Sequence, residues 1–206
     1  MRKRVNIKMK KININEKGFT LIELLAVITI MGILMMVAIP AVTRIIENSR
    51  RDSFVNISKE YINTVRNAVL ADNIKCILDP THADNLTIVS AVPDGTYYFS
   101  IDTEDQATKD LMESGGKSPF GNAEMKGYIK WQKKTENRAS GETVTKTNYS
   151  ILMTDTGNHG IQTETSETNL ARSKVEMKTT ATPPTQPPAE TVEGVGPVTP
   201  KQCVLA

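Results

Sequence analysis

The chain has 206 residues, room for one modest domain with attachments, and its 5% aromatic content limits it to a small core. The net charge of +2 conceals an asymmetry: seven Lys/Arg against the single acid Glu16 before Phe19 give that end +6 and leave the rest at −4, so the remainder has no basic patch for nucleic acid. The two cysteines, Cys76 and Cys203, and two histidines, His82 and His159, lack metal-ligand spacing, and no nucleophile elbow, phosphate loop or paired-carboxylate signature is present, so no enzyme, cofactor or metal is expected.

Residues 1–18 form a basic, Asn/Lys-rich leader without an apolar face. Residues 19–42 are almost wholly apolar, interrupted by Thr20, Glu23, Thr29, Gly32 and Pro40, and reach the ~20 residues with which a helix spans a bilayer. Lys/Arg directly before such a run keep the N-terminus cytoplasmic and send the C-terminal remainder of the chain across the membrane. A secretory signal peptide has a shorter apolar region, about 7–15 residues, and closes on small residues. This run is longer, contains an acid and has no such exit. Residues 43–72 continue the helix in amphipathic form. Phe54, Ile57, Ser58, Tyr61, Val65, Ala68 and Val69 recur at the period of one helix face, with Arg50, Arg51, Asp52, Lys59, Glu60 and Arg66 between them. Asp72-Asn73 is the expected stop; unbroken from Phe19, the rod would span roughly 80 Å.

Residues 73–178 are expected to be the head. Residues 73–95 read as an irregular connection broken by Pro80, Pro93 and Asp94-Gly95. Thr96–Ile101 reads as a strand with Tyr97, Phe99 and Ile101 on one face, and Glu104–Glu113 as a short helix stopped by Gly115-Gly116. Pro119-Phe120-Gly121-Asn122 is a turn. Lys126–Lys133 and Glu142–Thr154 read as strands joined through Ser140-Gly141, the second with Tyr149, Ile151 and Met153 alternating. Asp155-Thr156-Gly157-Asn158 turns the chain into a short strand at Gly160–Thr163, and His159, with no partner in sequence, is expected at the surface. Three or four antiparallel strands on the amphipathic half of the helix make an α+β fold: a long N-terminal helix against a small antiparallel sheet. Residues 179–206 are a Thr/Pro-rich tail, where Pro183-Pro184 and Pro187-Pro188 exclude helix or a central strand; it is expected to be extended or disordered, bare or carrying O-linked sugars. Cys76 and Cys203 enclose almost the whole head. Either they pair, if the head is exported, which would add roughly 4–5 kcal/mol in the chain-entropy model, or they remain two thiols.

The most informative stretch is Lys17-Gly18-Phe19-Thr20-Leu21-Ile22-Glu23-Leu24-Leu25. It resembles the cleavage and methylation motif of type IV prepilins and of type II secretion pseudopilins. The resemblance implies a cut between Gly18 and Phe19 by a prepilin peptidase on the cytoplasmic side, with N-methylation of Phe19. It implies that Glu23 pairs with the N-terminal amine of a neighbouring subunit. A charge at the centre of a membrane helix costs on the order of 2.5–3.5 kcal/mol, so an acid here needs such a partner; the alternative is a carboxylate that snorkels to the interface or is protonated. Gly32 and Pro40 stand where the family often has a glycine and a proline, implying either a kink or a segment able to unwind. Ser118-Pro119-Phe120-Gly121-Asn122 faintly resembles a pseudopilin turn, and Asp155, Thr156 and Asn158 could offer calcium oxygens, although a plain turn is the preferred reading.

The implied function is a structural filament subunit precursor with a pilin-like fold. Its partners are the peptidase/methylase, identical or related pilin subunits, an assembly platform protein and ATPase, and the bilayer before assembly; no nucleic acid is evident. Its place is the cytoplasmic membrane, single-pass, then a surface or periplasmic filament. The competing reading is a membrane-anchored surface binding module that uses the same export signal. The motif covers the start of the chain only and does not separate a pilus from a secretion pseudopilus.

Overall fold

A computed structural model describes residues 18–77, 86–88, 92–104, 116–121, 123–139, 141–177, 186–192, 196–198 and 200–205. The leader before Gly18, His82 and all but the first residue of the expected helix Glu104–Glu113 lie outside them; Glu104 itself is in a turn. The elements are α1 (Leu21–Leu70), β1 (Ile74–Ile77), β2 (Leu86–Ile88), β3 (Gly95–Asp102), β4 (Met125–Asn137), β5 (Thr143–Asp155), β6 (Gly160–Ser166), β7 (Glu190–Val192), β8 (Gly196–Val198) and β9 (Gln202–Leu205). The chain divides into two compact units, 1–45 and 46–206.

In the second unit the helix is the spine of the core. Phe54, Val55, Ser58, Tyr61, Ile62, Val65 and Val69 are its buried face, at the three- and four-residue intervals of one side. Ile57 and Ala68, expected on that face, are only partly buried at its margin. Ser58 is tolerated because its Oγ donates to the Phe54 carbonyl at 2.8 Å. The helix ends at the expected place in a Schellman arrangement. Asp72 adopts φ 53°, its N–H donates to the Val69 carbonyl at 3.4 Å, and Asn73 N–H donates to the Ala68 carbonyl at 2.9 Å.

A seven-stranded sheet lies against this face in the order β2-β1-β9-β3-β4-β5-β6, and β7-β8 is a separate ribbon. All pairings are antiparallel except β3 with β9. Tyr97, Phe99 and Ile101, Ile129 and Trp131, and Tyr149, Ile151 and Met153 face the helix, as their alternation requires. Tyr98, Tyr128 and Leu152 form a second buried cluster on the opposite face. Trp131 is the centre of the main core, with the rings of Tyr97 and Phe99 at 5.3 and 6.4 Å.

The structure corrects the sequence-based expectation at three places. The segment 73–95 is not merely a connection, since it holds β1, β2 and the start of β3. The strands expected at Lys126–Lys133, Glu142–Thr154 and Gly160–Thr163 extend to Asn137, Asp155 and Ser166. The expected tail contributes β9 to the sheet interior, antiparallel to β1 and parallel to β3. Strands of three or four residues are too short for periodicity to register, and β9 acquires its place from long-range partners. The Cys76–Cys203 disulfide joins directly opposed residues of β1 and β9 across a separation of 127 residues. In the chain-entropy model such a closure stabilises by roughly 5 kcal/mol.

The stretch after β6 returns along the helix. Arg66 pairs with Glu167, and Arg172 Nε donates to Asp52 Oδ1 at 2.7 Å, while Leu170 and Val175 are buried in the core between and beside them. The Arg172 hydrogen bond holds the Asp52 carboxyl below its ordinary value. On the β4–β5 hairpin, Lys146 and Lys134 flank Glu136 at 2.6 and 3.0 Å and pull it down to about 2. Thr135 donates its N–H and hydroxyl to Asp94 at 2.6 and 2.8 Å, which lowers that carboxyl and ties the entry of β3 to β4.

Gly160 has φ 136°, and a Cβ there would stand 2.4 Å from the Met153 carbonyl and 2.6 Å from the Phe54 ring. Gly160→Ala is expected to destabilise the head by roughly 2–4 kcal/mol through strain and overpacking, measured by denaturant titration of the detergent-solubilised chain. Because Asp52, Asp94 and Glu136 are depressed in the folded state, their contribution is complete above the ordinary carboxylate values of 3.8 and 4.5 and is lost as pH falls toward their folded values. Melting temperature should therefore drop between pH ~5 and ~2, and less steeply in high salt, since Asp94 is exposed and Asp52 and Glu136 are partly so.

Candidate functional site

Gly18, Phe19 and Thr20 precede the helix in non-helical backbone and are all exposed. Among the described residues, no atom beyond its chain neighbours lies within 4 Å of where a Gly18 Cβ would be, and Phe19 is 86% exposed. The Gly18–Phe19 peptide bond lies two residues ahead of the helix.

Thr20 and Glu23 start the helix together. Glu23 N–H donates to Thr20 Oγ1 at 3.2 Å, and Thr20 N–H points at Glu23 Oε2 at 3.5 Å. This reciprocal arrangement is a capping box, which satisfies two of the orphan donors of a helix N-terminus. The family resemblance presents Glu23 only as a charge seeking a partner on another chain. The signal for its local role is also in the sequence, as Thr-x-x-Glu before an apolar run. The carboxylate sits in the first turn, where the helix dipole favours a negative charge.

From Phe19 to Ile46 every large apolar side chain is exposed, between 46% and 86%. The helix is long and apolar enough to cross a membrane, with a mean hydropathy of 2.6 over its most apolar 18-residue window and none of that window buried. The two interior hydroxyls are satisfied locally, Thr29 Oγ1 donating to the Ala26 carbonyl at 2.9 Å and Thr43 Oγ1 to the Ile39 carbonyl at 3.0 Å. Gly32 and Pro40 both lie within the unbroken helix, so the segment between them is helical here. Proline has no N–H to offer the Met36 carbonyl, which leaves that turn one hydrogen bond short.

A second cluster brings together residues far apart in sequence. Asp155, at the end of β5, is buried; Ser118 Oγ donates to its Oδ2 at 2.8 Å, and the N–H groups of Gly157 and His159 donate to its Oδ1 at 2.8 Å each. His159 Nδ1 lies 3.1 Å from both oxygens. Contrary to expectation, the His159 side chain is only 21% exposed; its ring stacks on Phe120 at 4.9 Å, and Phe120 in turn meets Phe54 of the helix at 6.1 Å. In an acyl-transfer triad the imidazole stands between serine and carboxylate. Here the carboxylate stands between the other two and Ser118 is buried, an order that fixes a turn and activates no nucleophile. Asp155 directs both oxygens to protein donors, and among the described residues no group of three His, Cys, Asp or Glu could hold a metal. The cluster joins the Ser118–Phe120 turn to the Asp155–His159 turn.

Residues 13–39 match the prokaryotic N-terminal methylation motif. The chain carries the prepilin-type signal. The match includes Gly18, Phe19, Glu23 and Gly32, ends just before Pro40, and leaves the head outside it. With one long apolar helix leading into a mostly antiparallel sheet, the architecture is α+β and pilin-like. No curated protein and no solved structure matches the chain.

Asp155→Ala should lower stability by roughly 2–4 kcal/mol by leaving its donors without an acceptor, seen as a fall in melting temperature. Added calcium, or a chelator, should leave the melting temperature of the unsubstituted chain unchanged.

Proposed function

We propose that this chain is the precursor of a structural filament subunit, type IV pilus-like or type II secretion pseudopilus-like. A prepilin peptidase cuts between Gly18 and Phe19 and Phe19 is N-methylated. The observation that carries the reading is the conjunction of the methylation motif with a long apolar helix surface that is exposed among the described residues. Before assembly that surface is satisfied by lipid, with the N-terminus cytoplasmic and the head exported. A platform protein and ATPase then move the subunit out of the bilayer, and its helix exchanges lipid for the helices of identical or related subunits. The contact is heterologous and does not close, which is the condition for a filament.

Glu23 then has two successive tasks. In the precursor it caps its own helix through Thr20; in the filament it pairs with the methylated amine of Phe19 on the adjoining subunit and sets the stagger. The role is structural, in keeping with the turn-fixing order of Ser118, Asp155 and His159. Replacing Glu23 by Ala should leave membrane insertion and cleavage intact while reducing recovery of the subunit in sheared filaments at least tenfold. Wild-type levels of incorporation would contradict the reading. Uncut precursor in that variant would instead place Glu23 in peptidase recognition.

A further inference from the structure

We propose that Cys203 is the site of a mixed disulfide with an external disulfide oxidant, and that Cys76 is the resolving thiol that closes the native bond as β9 enters the sheet. The inference concerns the order of oxidation and does not depend on the filament reading.

The two cysteines are held by different means. Cys76 is placed by its neighbours in sequence: the helix terminates at Asp72, Ile74 two residues before it is 1% exposed, and β1 pairs with the nearby β2 through Cys76↔Thr87. Its side chain is fully buried on the face toward the helix. Among the described residues, Cys203 pairs only with strands far from it in sequence. It comes after a stretch rich in Thr and Pro, and β9 is the last of the described strands. Within β9, Gln202 and Val204 are exposed and Leu205 is half-buried, so Cys203 is the strand's one fully buried side chain. Apart from the disulfide, β9 is held by backbone pairing with β1 and β3, including Tyr98 N–H donating to the Lys201 carbonyl at 2.9 Å, and by Leu205 at the margin of the core. Both sulfurs are buried once β9 is docked, but when β9 leaves the sheet Cys203 leaves with it, whereas Cys76 stays on β1, facing the helix; Cys203 is therefore the thiol that β9 undocking presents to an oxidant.

The chemistry balances as two exchanges. The Cys203 thiolate attacks one sulfur of the donor disulfide, and the other donor sulfur leaves as thiolate. The Cys76 thiolate then attacks Cys203 Sγ, and the remaining donor sulfur leaves. Two protein thiols are oxidised and one donor disulfide is reduced to two thiols. The second step also fixes register: Cys76 opposes Cys203, which in turn opposes Phe99 of β3. A slip of one residue would turn Cys203 to the opposite face, away from Cys76.

The test uses the full chain in detergent, reduced and then exposed to glutathione disulfide, with acid quenching and peptide mass mapping. Cys76→Ser should take up glutathione at Cys203 at least tenfold faster than Cys203→Ser takes it up at Cys76. In denaturant the two rates should converge, which ties the difference to the fold. Reduced wild-type chain, which needs no substitution, should show transient glutathione on the Cys203 peptide that decays as the native disulfide appears. Glutathione first on Cys76, or equal native rates in the two variants, would overturn the proposal.

Discussion

The apolar surface from Phe19 to Ile46 sets the terms for everything else in this protein. At about 25 cal/mol per Å² of apolar area kept from water, covering these eighteen exposed large side chains is strongly favourable. That surface must be covered by lipid or by other helices. The polar groups along it are economical: Thr29 and Thr43 bond back to the helix, and Thr20 and Glu23 close its first turn. Only Glu23 brings a full charge into the exposed apolar stretch between Phe19 and Val42, and its local hydrogen bonds to Thr20 leave acceptor capacity for a further donor.

The same helix changes its role within one element. Beyond residue 45 it stops being a surface to be covered and becomes the spine on which the sheet lies. Phe54 marks how closely: its ring fills the space that a side chain at Gly160 would need, and meets Phe120, which carries the His159 stack. Around this spine the head is held by ties of long sequence separation. Arg172 reaches back to Asp52, Glu167 to Arg66, Ser118 forward to Asp155 and Cys203 to Cys76. Such ties fix a fold whose aromatic content is too low for a large core.

The features legible in the sequence are those that periodicity and local chemistry encode. The helix, its stop at Asp72-Asn73, the alternation of Tyr97, Phe99 and Ile101, and the β4–β5 hairpin all come from spacing within one element. The processing motif is legible for the same reason, since its residues are contiguous. Strands β1, β2 and β9 are not legible, because three or four residues carry no period, and β9 takes its partners from far along the chain. His159 is expected at the surface, yet lies mostly buried, because the ring it stacks on belongs to a turn some forty residues nearer the N-terminus. Glu23 invites a search for a distant partner, while the nearer one, Thr20, is only three residues away.

The central claim is that the exposed helix is the anchor and later the assembly surface of a processed subunit. The most direct measurement is the intact mass, with N-terminal peptide sequencing, of the chain recovered from producing cells. The account predicts a chain that begins at an N-methylated Phe19. A chain that still carries residues before Phe19, or one cut beyond the apolar helix, would contradict it.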